Sequence, residues 1–151
     1  MVCLALFQCK NNPVSEGRGD ITGIWKLTMY NGEAVGVDAE NGEIYVIDES
    51  SITVHEFVDG CYDVSAAAPY SLSGDTILGE DFTHSETGTG YVYSLSTTYS
   101  FYGDKLMIKI VSKENDVTFT ETSVFQHYSG IVPPAGWTDG ECYEASNKKI
   151  E

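Results

Sequence analysis

The chain has 151 residues and a formal net charge of −15, from 23 acidic and 8 basic side chains. This length fits a single domain with a sizeable core, and 42% hydrophobic and 12% aromatic residues are typical of a globular protein. Nucleic acid is excluded as a partner, because binding it requires basic side chains that neutralise phosphates. The acidic residues are dispersed along the chain, which indicates a solvated surface first and attraction to a basic protein second.

Residues 1–19 predict a leader and a tether. An apolar run precedes Cys9, as in a bacterial lipobox, although Gln8 stands where a small residue is expected. Residues 1–9 are therefore interpreted as a signal remnant that ends at a lipidated cysteine. Residues 10–19 are polar and contain proline and glycine, which predicts a flexible tether. Since the apolar run is too short to span a bilayer, the predicted contact with a membrane is a lipid anchor only.

Residues 20–145 predict one all-β domain. Between Asp20 and Tyr30, polar residues alternate with Trp25, Leu27 and Met29, which is the period of a half-buried strand. Asn31-Gly32 then predicts a tight turn. No stretch combines an apolar stripe at helical spacing with a helix cap. Further strands are predicted at 43–47, 51–58, 61–64, 91–98 and 117–128, with 79–90 as a loop.

Two segments share a pattern in which a Tyr-led strand meets a Gly-Asp turn and returns as an apolar strand. They are Tyr70–Leu78, around Gly74-Asp75, and Tyr99–Met107, around Gly103-Asp104. Each predicts a tight hairpin, because glycine supplies positive φ at the turn. Two hairpins in one small domain predict an up-and-down antiparallel meander, which further strands could close into a β-barrel. An irregular segment after residue 130 is expected to dock on this barrel, and residues 146–151 to fray.

The pair Gly23-x-Trp25 on the first strand resembles the lipocalins and their calycin relatives. The stretch GIWKLTMYNGE and the two Gly-Asp hairpins are similar to small bacterial lipocalin-like lipoproteins; the META-type domain is the second choice. The resemblance implies an up-and-down antiparallel β-barrel of about eight strands. It also implies a monomeric, lipid-anchored protein of the bacterial cell envelope, in the periplasm or on the outer-membrane surface. Lipocalins usually place an arginine or lysine over the first-strand tryptophan. This chain instead offers Gln126 and His127 on its last strand.

The four cysteines are accounted for under this resemblance. Cys3 leaves with the leader and Cys9 carries the lipid, so that Cys61 and Cys142 remain. Many lipocalins tie a C-terminal segment to a strand in the middle of the barrel, which implies a disulfide between Cys61 and Cys142. The alternative is two buried free thiols in a cytosolic protein.

The resemblance implies a binder of a small apolar ligand, and strand alternation together with aromatic content suggests which residues would line its interior. The alternative interpretation of the same residues is a filled core without a cavity. The alternative function is that of an acidic interaction protein that binds a basic protein partner. No catalytic motif is present and the three histidines lack ligand spacing, so no enzyme activity, metal or cofactor is predicted. The candidate lining residues are Tyr45, Tyr93, Phe101, Phe119 and Phe125.

Overall fold

The computed structural model describes residues 19–35, 42–58, 61–130 and 132. These residues form strands and no helix, so the predicted all-β fold is confirmed for them. The strands are β1 (Gly23–Tyr30), β2 (Glu33–Ala34), β3 (Gly42–Ile47), β4 (Ser51–Val58), β5 (Cys61–Val64), β6 (Ala68–Pro69), β7 (Ser71–Ser73), β8 (Thr76–Leu78), β9 (His84–Gly88), β10 (Tyr91–Tyr102), β11 (Lys105–Glu114) and β12 (Val117–His127).

All of these strands belong to one antiparallel sheet, which curls into a half-barrel. Its order is β5-β4-β3-β1-β12-β11-β10-β8-β7, and β2, β6 and β9 pair with β1, β4 and β10. The chain from Ala68 to Ser73 contacts both ends of this order, because β6 pairs with β4 while β7 pairs with β8. Between them, the Tyr70 N–H donates to the Ser50 carbonyl at 2.9 Å. The tryptophan strand β1 lies between β3 and β12, in the middle of the sheet.

The inner face of the curled sheet carries the main hydrophobic core. Phe125, Leu106 and Ile77 are fully buried there, and each such side chain stabilises the fold by roughly 1.5–3 kcal/mol. Because side chains alternate along a strand, core residues of one strand lie two positions apart, as Leu106 and Ile108 do. The buried members are Ile21, Trp25, Leu27, Ile47, Ile52, Ile77, Tyr99, Leu106, Ile108 and Phe125.

A second, smaller cluster covers the outer face of β3 and β4. Ile44 and Phe57 are its fully buried members, and Ile44 points away from its neighbour Tyr45, which packs against the inner core. Tyr128 and Val132 pack against this outer cluster. The chain directly after β12 therefore contacts the outside of the sheet, which is the part of the predicted docked segment that the described residues include.

The predicted turns are confirmed. Gly74 and Gly103 have φ angles of 62° and 63°, and each begins the two-residue loop of its hairpin. Asn31 and Gly32 both have positive φ, as a type I′ turn requires.

Two details differ from the prediction. The stretch 79–90 is not a loop throughout, since β9 pairs with β10 from His84 to Gly88. A bulge between Leu27 and Met29 shifts the register of β1, so Met29 does not continue the inner face. Tyr30, opposite Ser123, takes that place. Both features depend on a neighbouring strand, which local alternation does not reveal.

Several predictions lie outside the described residues. These are the leader with Cys3 and Cys9, the tether up to residue 18, Cys142 and the C-terminal residues 133–151. Cys61 begins β5, but its side chain is not described. Lipidation of Cys9 and the disulfide between Cys61 and Cys142 therefore stay predictions.

Candidate functional site

Three of the five predicted lining aromatics come together on the inner face. Phe125 is fully buried, and its ring centroid lies 4.6 Å from that of Tyr45. Phe101 packs against the same core, with its ring 6.1 Å from Trp25. Residues with no exposed surface, among them Leu106 and Ile77, occupy the space beside them. This part of the interior is a packed core.

The other two predicted lining residues lie further along the sheet. Phe119 is 56% exposed, which contradicts its placement in an enclosed interior. Tyr93 is half-buried and stacks on Tyr91, with ring centroids 6.5 Å apart. The reason is geometric: β1 ends opposite Ser123, while β10, β11 and β12 continue beyond that point. Alternation assigns the correct face to these rings but does not show where the opposite wall of the half-barrel ends.

The predicted structural pair, Gly23 and Trp25, lies where expected. Trp25 is 5% exposed, and its indole N–H donates to the Ile21 carbonyl at 2.9 Å. A Cβ on Gly23 would lie 3.4 Å from the Trp25 indole nitrogen, and the φ of Gly23 is +140°. Glycine therefore allows the close approach of the ring. The His127 ring meets the indole edge-on, with centroids 5.3 Å apart.

A group of carboxylates lies next to the inner core, at the end where β1 stops. Glu43 and Glu56 face each other across β3 and β4, and Glu121 lies opposite Ile110 of the inner core. Tyr45 and Tyr30 lie near enough to Glu43 and Glu121, respectively, for these carboxylates to raise the pKa of each hydroxyl. We call Tyr30, Glu43, Tyr45, Glu56 and Glu121 the acidic mouth.

The electrostatics of the acidic mouth are those of crowded negative charge. Burial raises the pKa of Glu43, and the Glu56 carboxylate raises it further. Burial also raises the pKa of Tyr45, with contributions from Glu43, Glu56 and Glu121. Tyr45 therefore stays a neutral hydroxyl donor. Like charges directly opposite each other destabilise a sheet, so the folded chain carries an electrostatic cost at this site.

Replacing Glu43 with glutamine is expected to raise the free energy of unfolding above that of wild type by more at pH 7 than at pH 4. The raised pKa means that the folded protein binds the Glu43 proton more tightly than the unfolded chain does. The stability from this group is complete below the ordinary value of 4.5 and is lost as pH rises through the folded pKa. Urea unfolding of wild type and Glu43→Gln at both pH values measures the difference. Glu80→Gln, at an exposed turn, is the control, and equal pH dependence for both variants would contradict the expectation.

The described lysines lie on the opposite face of the sheet. Lys26 is paired with Ile44 of the outer cluster, and the three lysines of β11 alternate with the inner residues Leu106, Ile108 and Ile110. Within the described part of the chain, the one contact of salt-bridge length joins His84 Nε2 and Glu86 Oε1 at 3.0 Å. No described basic side chain therefore neutralises the acidic mouth. The outer-face lysines are Lys26, Lys105, Lys109 and Lys113.

The sequence prediction missed the acidic mouth, although a local signal for it exists. Glu43 precedes Tyr45 by two residues, so the alternation that predicts an inward Tyr45 also predicts an inward Glu43. Its neighbours Glu56 and Glu121 belong to other strands, and their approach depends on the register of the sheet.

The histidines do not form a metal site among the described residues. His55 is hydrogen-bonded to Tyr62 on the outer face, and burial lowers its pKa. His84 and His127 lie on other strands. Within the described ranges, no group of three histidine, cysteine, aspartate or glutamate side chains is arranged to hold a metal ion.

The fold and the acidic mouth define an antiparallel half-barrel whose inner face carries unneutralised carboxylates. No family model, curated protein or solved structure matches this chain. No helix among the described residues is long and apolar enough to cross a membrane.

Proposed function

We propose that this protein is a binding protein without enzymatic activity, and that its acidic mouth receives the basic side chains of a protein partner. The observation that carries the proposal is the separation of charge between the two faces. Glu43, Glu56 and Glu121 gather around Tyr45 on the inner face, and the four described lysines lie on the outer one. A lysine or arginine from a partner would neutralise the crowded carboxylates and relieve their mutual repulsion.

The tyrosines suit the same kind of ligand. Tyr30 is 40% exposed at the rim, and an aromatic ring next to carboxylates attracts a cation through its face as well as through charge. The partly buried carboxylate of Glu43 lies in a less polar environment than a fully exposed one, so its attraction to a cation is less screened by salt. A basic partner would therefore bind more tightly here than at the dispersed surface carboxylates.

We further propose that the protein belongs to the small lipocalin-like lipoproteins of the bacterial cell envelope, acts as a monomer and is anchored through Cys9. The support lies in the sheet. Chain 68–73 pairs with β4 at one end and β8 at the other. We propose that β6 and β7 act as one interrupted strand, which would close the half-barrel into an up-and-down circuit of eight strands: β1, β3, β4, β6–β7, β8, β10, β11 and β12. The buried indole after Gly23 suits the same class.

Binding of a small apolar ligand inside the barrel is the second candidate. The convergence of Tyr45, Phe101 and Phe125 on the inner face favours it. Fully buried side chains fill the same region, so such a ligand would have to displace them at a cost in packing. Because the acidic mouth is partly open and needs no such displacement, we rank the basic partner first.

The experiment is a calorimetric titration of the full chain with a lysozyme, as a basic protein, at low salt and at roughly 0.15 M salt. The test variant carries Glu43→Gln, Glu56→Gln and Glu121→Gln. The control variant carries Glu80→Gln, Asp81→Asn and Asp104→Asn, at exposed turn positions, and loses the same three charges. We expect the test variant to bind at least about tenfold more weakly than the control variant, a change of roughly 1.4 kcal/mol.

Equal weakening of both variants would mean that binding follows net charge alone, and would overturn the proposal. Complete loss of wild-type binding at the higher salt would do the same. A fluorescent fatty acid, titrated in parallel, tests the second candidate. Its saturable binding to both variants, without any lysozyme binding, would favour the apolar ligand.

A further inference from the structure

The last strand, β12, has one edge that is only partly covered. Along its other edge, β12 pairs with β11 from Val117 to Gln126. Towards β1, pairing begins only at Ser123. The Asn31 turn closes the next position, because the Asn31 N–H donates to the Thr122 carbonyl at 2.8 Å and the Thr122 N–H donates to Asn31 Oδ1 at 2.9 Å. Residues 117–121 therefore present an edge that no other described residue pairs with. We call 117–121 the open edge.

The direction of the backbone groups follows from this pattern. Alternate residues of an antiparallel strand turn their N–H and C=O to the same side. Since Thr122 turns both groups towards Asn31, Thr120 and Thr118 turn theirs to that side as well. The open edge thus offers two backbone donors and two acceptors at the spacing that an added antiparallel strand requires.

Of the side chains of the open edge, only the inward-facing charge of Glu121 is of a kind that protects natural edges. Natural edges are usually blocked by lysine, proline, a bulge or a very short strand. Here the sequence is Val-Thr-Phe-Thr-Glu, which favours extended structure and contains neither lysine nor proline. Val117 and Phe119 are 54% and 56% exposed.

The side chains near the open edge indicate which kind of segment would bind to it. A strand added here would place a side chain opposite Glu121, at the rim of the acidic mouth and near Tyr30, which pairs with Ser123 two residues away. Two residues along, its next inner-face side chain would lie opposite the exposed Phe119. A basic side chain suits the first position and an apolar one the second. A second copy of this chain suits the edge less well, since each copy carries a net charge of −15.

We propose that the open edge is a strand-addition site for an extended segment of the basic partner, with a lysine or arginine opposite Glu121 and an apolar residue opposite Phe119. The choice of a basic partner rests on the proposed function. The strand geometry does not, and the two are tested separately.

The probe is the capped peptide Lys-Thr-Val-Thr-Lys, titrated into the full chain and followed by the NMR shifts of backbone amides. In an antiparallel pairing with Val opposite Phe119, the two peptide threonines face Thr118 and Thr120. Their N–H groups point at the open edge, and those of lysine and valine point away. N-methylation of both threonines should therefore weaken binding at least about tenfold. N-methylation of valine and the second lysine should change it less than about threefold.

A second test compares the lysozyme affinities of two protein variants. Thr120→Pro removes one donor from the open edge, at a strand position where proline is tolerated because that N–H does not face β11. Thr120→Val keeps the N–H and serves as the control. We expect at least about tenfold weaker binding for Thr120→Pro than for Thr120→Val. If Thr120→Pro does not fold, the titrations with the N-methylated peptides are sufficient to test the inference.

Three results would overturn the inference. One is equal binding of the two methylated peptides. Another is slow hydrogen exchange of the Thr118 and Thr120 amides in the free protein, which would mean that another part of this chain already covers the edge. A third is normal lysozyme binding by folded Thr120→Pro together with loss of binding in the variant with three mouth substitutions. That last result would leave the proposed function standing and remove only the strand addition.

Discussion

Replacing Trp25 with alanine is expected to lower the free energy of unfolding by about 3–5 kcal/mol. The indole is 5% exposed and contacts Phe101 and His127, so its removal leaves a cavity on the inner face. The Ile21 carbonyl, which accepts the indole N–H, would also lose its partner. Since domains of this kind are stable by only 5–15 kcal/mol, the loss is a large share of the total.

Urea unfolding followed by circular dichroism measures this loss. Trp25→Phe is the matched control, because it keeps an aromatic ring and removes the N–H donor and part of the volume. We expect its loss to be about half as large. A change below about 1 kcal/mol for Trp25→Ala would show that the indole is not part of the core.

Replacing Gly79 with alanine is expected to cost roughly 2–4 kcal/mol, from backbone strain and overpacking together. The φ of Gly79 is +153°, and a Cβ there would lie 2.5 Å from the Pro69 carbonyl oxygen. That oxygen is backbone at the junction between β6 and β7, so relief would require the chain that contacts both β4 and β8 to move. The Gly79 carbonyl also accepts hydrogen bonds from the Phe82 and Thr83 N–H groups.

Gly88→Ala is the matched control for this prediction. Gly88 lies in β9, and a Cβ there would meet no atom within 4 Å. We therefore expect a change of less than about 0.5 kcal/mol. Similar losses for both variants would mean that the contact between Gly79 and Pro69 does not hold the two ends of the sheet together. Hydrogen exchange at Tyr70, whose N–H bonds to Ser50, reports the same junction directly.

The proposed partner and the proposed class rest on different parts of the molecule. The basic partner follows from the position of Glu43, Glu56 and Glu121, which any antiparallel half-barrel could display. The proposal of a lipocalin-like class rests on Gly23-x-Trp25 and on the junction at Tyr70. Failure of the lysozyme titration would therefore leave the class unaffected, and absence of lipid on Cys9 would leave the acidic mouth intact.

The sequence by itself determined the strands and most of the turns. Alternation in β1, β3 and β11 and the Gly-Asp and Asn-Gly turns are local properties, because they depend on the backbone preferences of consecutive residues. For the same reason the sequence assigned Tyr45, Phe101 and Phe125 to the inner face. Trp25 could be recognised as a core residue from its position beside Gly23.

Only the tertiary structure decided how far each strand is covered by its neighbour. The bulge after Leu27, the strand β9 and the exposure of Phe119 all depend on pairing between segments that are distant along the chain. The same holds for the position of Glu121 near Tyr45, which depends on the register of β12 against β1 and of β1 against β3. Register is a property of strand pairs and is set by contacts across the sheet, so no single stretch of this chain encodes it.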